Sequence, residues 1–173
     1  RNVRGVIVGP GAIENPLSSE AMEVLADWSQ LKKGKVVIDA GALSKLDEIM
    51  DGCKLDPNNY VLTPHPGEWS RISSQLPEIN QRQDLEKALI SFKKWGVTTI
   101  YKSSTPLVFD ISQTSFQVTV LTRQSNRLAR AGSGDVLTGL IMGYLLRDLS
   151  GPLAAAKALI DLEKAAQMAA IAV

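Results

Sequence analysis

Short β-branched runs that end at glycine, proline or polar residues alternate along this chain with longer amphipathic stretches, and no other feature restricts its fold so tightly. A strand followed by a helix that crosses over and returns parallel is the unit of an α/β sheet, so the alternation predicts a largely parallel sheet covered by helices. Gly5 to Val8, Val36 to Asp39 and Tyr60 to Thr63 read as buried strands, being short and bounded by turn residues. Ser18 to Leu31 and Ala42 to Asp51 read as helices, and Gln81 to Trp95 as a third with Leu85, Leu89 and Phe92 on one face. Val97 to Lys102, Leu107 to Asp110 and Phe116 to Leu121 are separated by only a few polar residues, which predicts antiparallel strands at one sheet edge. From Gly132 the spacing turns helical, with Val136, Leu137, Leu140, Ile141, Tyr144 and Leu145 as an apolar stripe and Gly139 and Gly143 placed for close backbone approach. Pro152 suits the first turn of a last, alanine-rich helix running through Ala172.

The 173 residues suffice for one domain with a sizeable core, and neither a repeat nor a linker divides them. A net charge of +1 shows no basic excess, so nucleic acid is not an expected partner. No apolar run is long enough to span a membrane and no signal-peptide pattern opens the chain, so a soluble protein without a membrane partner is expected. Cys53 is the single cysteine; it can form no internal disulfide, lacks zinc-type spacing and reads as a small buried hydrophobe in a reducing, cytoplasmic protein. Arg1 leads almost directly into a strand and Val173 falls within a helical pattern, so the chain is expected to be a piece of a larger domain.

Ala131-Gly132-Ser133-Gly134-Asp135, followed at once by the apolar helix, is the segment richest in chemistry. Its glycines let backbone approach a ligand, and the helix start offers N–H groups and a positive dipole end to an anion. Asp135 is either a carboxylate that caps that helix or a general base beside a phosphate site. Thr63-Pro64-His65-Pro66-Gly67-Glu68 follows a strand as a rigid turn that fixes the only histidine at the sheet edge where open α/β folds bind ligands. Glu68 is either part of that site or simply the early acid of the next helix. Gly9-Pro10-Gly11 is a plain turn or a backbone surface for a ligand; Glu14 breaks the dinucleotide fingerprint it would start. Asp39 is a strand-end turn residue or a ribose-binding or metal-site acid. Lys102, with Ser103, Ser104 and Thr105 behind it, offers a cation and hydroxyls to phosphates, or is a solvated lysine beside a polar turn. Gly34-Lys35-Val36 lacks the hydroxyl of a Walker loop, no nucleophile elbow is present, and no constellation for hydride transfer is found.

Taken in order, these segments resemble the C-terminal dehydratase domain of the enzymes that repair hydrated NAD(P)H, a branch of the ribokinase-like superfamily. Val6 to Gly11 resembles the family's Gly-Pro-Gly loop, Val37 to Ala40 its strand-end acidic motif, and Val61 to Glu68 its Leu-Thr-Pro-His-Pro-Gly-Glu signature. Lys102 and the hydroxyls after it resemble its nucleotide-binding segment, and Gly132 to Gly139 its anion hole. The resemblance implies a three-layer fold with a mostly parallel sheet, helices on both faces and an antiparallel edge. It implies a nucleotide-dependent dehydration in which ADP or ATP, with Mg²⁺, phosphorylates the ring hydroxyl of NADHX or NADPHX and phosphate then leaves. Asp135 would be the catalytic base and also contact substrate, with Gly11 and His65 binding the hydrated dinucleotide. Lys102, Ser103, Ser104, Thr105, Pro106 and Gly134 would bind nucleotide, and Gly132, Ser133 and Gly134 would form the anion hole; no residue is assigned to metal. A homo-oligomer is implied as well. The chain departs from the family where Gly41 replaces a second acid, where Ala131 replaces a glycine, and near Asp161 and Leu162, where the family carries a His-Gly pair. The family domain also extends before the Gly-Pro-Gly loop and a little beyond this chain's last residue. A ribokinase-like kinase of small alcohols and a nucleotide-binding protein without catalysis are the competing expectations.

Overall fold

A computed structural model describes residues 2–12, 17–44, 46–50, 55–56, 58–72, 79, 82–93, 96–111, 116–121 and 132–171. Six strands form one sheet: β1 (Gly5–Val8), β2 (Lys35–Ile38), β3 (Tyr60–Leu62), β4 (Thr98–Tyr101), β5 (Leu107–Ile111) and β6 (Phe116–Val120). Their order in the sheet is their order in the chain, with β1 to β4 parallel and β5 and β6 antiparallel additions at the edge. This agrees with the α/β reading and with the edge expected where connections are too short for a crossover. Registers pair Ile38 with Leu62, so β2 and β3 end level, and Leu62 with Thr99, so β4 runs two residues further.

Alternate residues of the sheet feed two cores, as the period of a strand requires. Val36, Ile38, Tyr60, Leu62, Tyr101 and Phe109 point into one, against α1 (Ser19–Lys32), α2 (Leu46–Ile49), α3 (Pro66–Ile72) and α4 (Arg82–Lys93). Val37, Val61, Ile100 and Val108 point into the other, against α5 (Ser133–Leu145) and α6 (Gly151–Ile171). With strands added in chain order, right-handed crossovers send every connecting helix to the same face, leaving the second face to the helices that come last.

Local signals set the helix ends. The Ser18 hydroxyl accepts from the Ala21 N–H at 3.1 Å, and Lys33 stops α1 in the left-handed conformation, so this helix begins one residue later than the sequence pattern suggests. The helix expected over Ala42 to Asp51 is instead a 3₁₀ turn, Ala40–Leu43, and the single-turn α2. Ser44 between them is extended, at φ −68° and ψ 127°, which interrupts the helical hydrogen bonds. Two expectations for α5 also need correction. Val136 is 53% exposed, and its buried stripe is Leu137, Thr138, Ile141, Met142 and Leu145. Gly139 and Gly143 are exposed, with nothing among the described residues within 4 Å of an added Cβ; the close approach is at Gly5, where a Cβ would lie 2.4 Å from the Met142 sulfur.

A phenol holds α6 against α5. The Tyr144 hydroxyl donates to the Asp161 carboxylate, while Arg147 and Lys157 lie about the ring at 6.0 and 5.7 Å from its centroid. The hydrogen bond to Asp161 raises the Tyr144 pKa, with burial and the Asp161 charge adding to the rise and Arg147 opposing it. A phenol whose pKa is raised on folding stabilises the fold below its ordinary value, about 10, and loses that contribution as pH climbs through the raised one. Urea denaturation at increasing alkalinity is therefore expected to show stability falling in wild type and a flatter profile in Tyr144→Phe; parallel profiles would contradict the assignment.

Candidate functional site

Neighbouring parallel strands deliver the candidate residues to one edge. Asp39 follows β2, the turn from Thr63 to His65 follows β3, and Lys102 follows β4. Below this edge Trp69, 1% exposed, meets Tyr101 edge-on at 4.9 Å and stacks on Phe109 at 5.8 Å. Trp69 and Tyr101 are the chain neighbours of Glu68 and Lys102, so the aromatic contact in the core positions the charges above it. There Lys102 Nζ lies 2.6 Å from Asp39 Oδ1 and 3.6 Å from Glu68 Oε2. The side chains are only 18%, 4% and 13% exposed, respectively, so the pairing is shielded from water and counter-ions. Of the two readings of Lys102, the solvated lysine is excluded. The Lys102 N–H also donates to the Pro64 carbonyl at 2.8 Å, tying the two loops together through backbone.

His65 and Glu68 form a reciprocal cap at the start of α3. The Gly67 and Glu68 N–H groups donate to His65 Nδ1 at 3.0 and 3.3 Å, and the His65 N–H donates to Glu68 Oε2 at 2.8 Å. This is the arrangement of a capping box with histidine in place of serine or threonine. His65 Nε2 sits 3.1 Å from Glu68 Oε1, and the ring remains half exposed. Glu68 is thus both of the things the sequence left open: the early acid of a helix and a member of the charged cluster.

The N-terminus of α5 points at the same cluster. A Cβ added to Gly134 would lie 3.8 Å from both Asp39 Oδ2 and Lys102 Nζ. Gly132 is the N-cap at φ 86°, no side chain caps this end, and the Val136 N–H closes the first turn on the Gly132 carbonyl at 3.2 Å. Among the described residues the exposed Asp135 carboxylate makes no hydrogen bond or ion pair; its carbonyl accepts from Thr138 Oγ1 at 2.9 Å. Since nothing within 4 Å among the described residues would meet a Cβ on Gly132, Gly132→Ala is expected to cost mainly its left-handed backbone strain, about 1 kcal/mol, as a small drop in thermal midpoint.

The remaining candidates divide. Gly9, at φ 113°, is required for packing: a Cβ there would fall 1.8 Å from the Asp39 carbonyl oxygen. Gly11, at φ 78°, is exposed, and among the described residues nothing lies within 4 Å of a Cβ added there. In the segment after Lys102, the Ser103 hydroxyl donates to the Thr105 carbonyl at 2.6 Å and the Leu121 N–H to the Pro106 carbonyl at 3.1 Å, while Ser104 is exposed. Gly41 sits in the 3₁₀ turn behind Asp39. Asp161 is held by Tyr144, and Leu162 packs on the second core. Glu14, Cys53 and Ala131 lie outside the described residues. Among the described residues no three His, Cys, Asp or Glu side chains stand together as a metal site, and no helix is long and apolar enough to cross a membrane.

A family model described as NAD(P)H-hydrate dehydratase matches residues 1–172. The bifunctional NAD(P)H-hydrate repair enzyme of Dictyoglomus turgidum is 32% identical over 142 residues, covering 82% of this chain and 26% of that protein. The ADP-dependent (S)-NAD(P)H-hydrate dehydratase of Bacillus subtilis is 28% identical over 150 residues, covering 82% of this chain and 47% of its own length. The chain thus spans between about a quarter and a half of these relatives. In fold it is similar to a crystal structure of the B. subtilis ADP/ATP-dependent dehydratase co-crystallised with ATP and Mg²⁺ and soaked with CoA, with a TM-score of 0.69, 24% identity and coverage of 97% of this chain and 58% of that one. Staphylococcus aureus pyridoxal kinase in complex with ADP shares the fold at a TM-score of 0.58, with 21% identity and coverage of 90% and 59%.

Proposed function

The chain belongs to the NAD(P)H-hydrate dehydratase family, and from that premise we propose that it carries the catalytic centre of a nucleotide-dependent repair of hydrated NADH or NADPH. One observation carries the reading: Gly134 at the start of α5 lies against Asp39 and Lys102, so the Gly-Ser-Gly-Asp segment, the lysine loop and the His-Pro-Gly-Glu turn meet at one place. Phosphoryl transfer needs little beyond positioning, a base and stabilisation of phosphate charge, and these three segments supply such groups.

In this reading Gly132, Ser133 and Gly134 turn their N–H groups to the transferring phosphoryl group. Lys102, Ser103, Ser104, Thr105, Pro106 and Gly134 hold ADP or ATP, while Gly11 and His65 hold the hydrated dinucleotide. Asp135, whose carboxylate is unengaged among the described residues, takes the proton of the ring hydroxyl as its oxygen bonds to phosphorus and AMP or ADP departs. Cleavage of the carbon–oxygen bond, with loss of a proton from the adjacent ring carbon to water or to the departing phosphate, then forms the ring double bond and restores the reduced nicotinamide. Asp39, Glu68 and Asp135 outnumber the lysine, a balance that repels a polyphosphate unless a cation accompanies it. Mg²⁺ would supply that charge compensation; among the described residues no group of His, Cys, Asp or Glu forms a protein-held site, and we place the ion with the nucleotide. A cytoplasmic location and a homo-oligomer belong to the same proposal.

The test is incubation with hydrated NADH, Mg²⁺ and either ADP or ATP while following reduced-nicotinamide absorbance. Recovery that requires nucleotide is the expected outcome. Phosphorylation of a small alcohol instead would make this a kinase, and nucleotide binding without turnover would make it a non-catalytic binder.

A further inference from the structure

Resting on the reading of His65 as a substrate contact, we infer that Glu68 is a positioning residue that locks His65 as the Nε2–H tautomer, leaving the imidazole face rather than its nitrogens to the substrate. Two backbone N–H groups, of Gly67 and Glu68, converge on His65 Nδ1, and a ring nitrogen that accepts from them cannot carry a proton itself. The proton of the neutral ring therefore resides on Nε2, which faces Glu68 Oε1 at 3.1 Å. Glu68 is held in its turn: Oε2 accepts from the His65 N–H at 2.8 Å and lies 3.6 Å from Lys102 Nζ, and Trp69 beside it is anchored in the core. Nδ1 is thus engaged by two backbone N–H groups and Nε2 stands beside a carboxylate oxygen, while half of the side chain remains exposed. What such a ring can offer a ligand is its flat, polarisable face, suited to a planar conjugated ring.

His65 is the single histidine of the chain, so its ring nitrogens give unique signals in a ¹⁵N-histidine NMR spectrum of this chain in mildly alkaline buffer. Wild type is expected to show one tautomer, with Nδ1 unprotonated; Glu68→Ala removes the acceptor of the His65 N–H, loosens the cap that holds Nδ1 on the two backbone N–H groups, and should show a mixture of the two. In the repair assay Glu68→Ala should raise KM for hydrated NADH by about tenfold, the loss of roughly one stacking-sized contact, with KM for nucleotide changed far less. His65→Asn, which keeps a capping acceptor but removes the ring, should raise the same KM, and His65→Phe, which keeps a ring, should recover part of it. Hydrated reduced nicotinamide mononucleotide, which lacks adenine, should show the same KM increase if the stacked ring is the nicotinamide-derived one, and none if it is adenine; either locates the partner of an imidazole face. A wild-type spectrum with the proton on Nδ1, or a mixture that Glu68→Ala leaves unchanged, would overturn the inference. Because the spectrum is read without substrate, a locked tautomer in a protein that repairs nothing would count against the proposed function and not against the role of Glu68. Should Glu68→Ala fail to fold, Glu68→Gln and the wild-type spectrum still decide the matter.

Discussion

Asp135→Asn is expected to reduce nucleotide-dependent recovery of NADH by about 10³-fold while leaving nucleotide affinity nearly unchanged. Asparagine has the shape of aspartate but no basic oxygen to take the hydroxyl proton, so the loss should appear in kcat. The fold has little at stake. The Asp135 carboxylate makes no hydrogen bond or ion pair among the described residues, and its charge near the start of α5 contributes at most about 1 kcal/mol through the helix dipole. Thermal unfolding beside steady-state kinetics separates the two effects, and a variant that keeps its kcat would place the base elsewhere.

Lys102→Met reverses the pattern, with stability and binding failing together. Lysine is the cation between Asp39 and Glu68, and Asp39 has almost no access to water. Removing one partner of a shielded pair strands the other charge, which costs about 3 kcal/mol. Urea denaturation should register that loss, and calorimetric titration with ADP should show affinity reduced by at least about tenfold, since a phosphate loses its ammonium partner. Adding Asp39→Asn to Lys102→Met should restore part of the stability and none of the affinity. Wild-type stability in Lys102→Met alone would mean that the ion pair does not hold these strand ends together.

Much of this architecture is legible in the residues. The β-branched runs fall within a residue or so of the strands, and the short spacing from Lys102 to Phe116 correctly implies an antiparallel edge. The failures share a cause, which is that tertiary contacts decide what local pattern leaves open. The stretch after Asp39 has helical spacing, yet Ser44 is extended and splits it. Gly139 and Gly143 look like a packing notch, but α5 turns them to solvent and Gly5 on β1 accommodates Met142 instead. Within the site, the individual motifs are readable because each sits at a strand end. Their pairing is not, because the choice of Asp39 as the partner of Lys102 depends on β3 lying between β2 and β4. The double role of Glu68 could have been suspected from the three-residue interval to His65, the interval of a capping box.

The strict agreement between strand order and chain order bears on how the protein is made. As the chain leaves the ribosome, each new strand can add beside the one before it, and the helices available up to that moment all settle on one side of the growing sheet. Val37, Val61, Ile100 and Val108 on the opposite side wait for α5 and α6, which emerge after the six strands. A nascent chain halted before Ser133 would carry a naked greasy surface, the kind that invites chaperones or clumping. One of the two helices that cover it, α5, also brings Gly134 to the strand ends, so shelter from aggregation and assembly of the site arrive together, once the six strands are made.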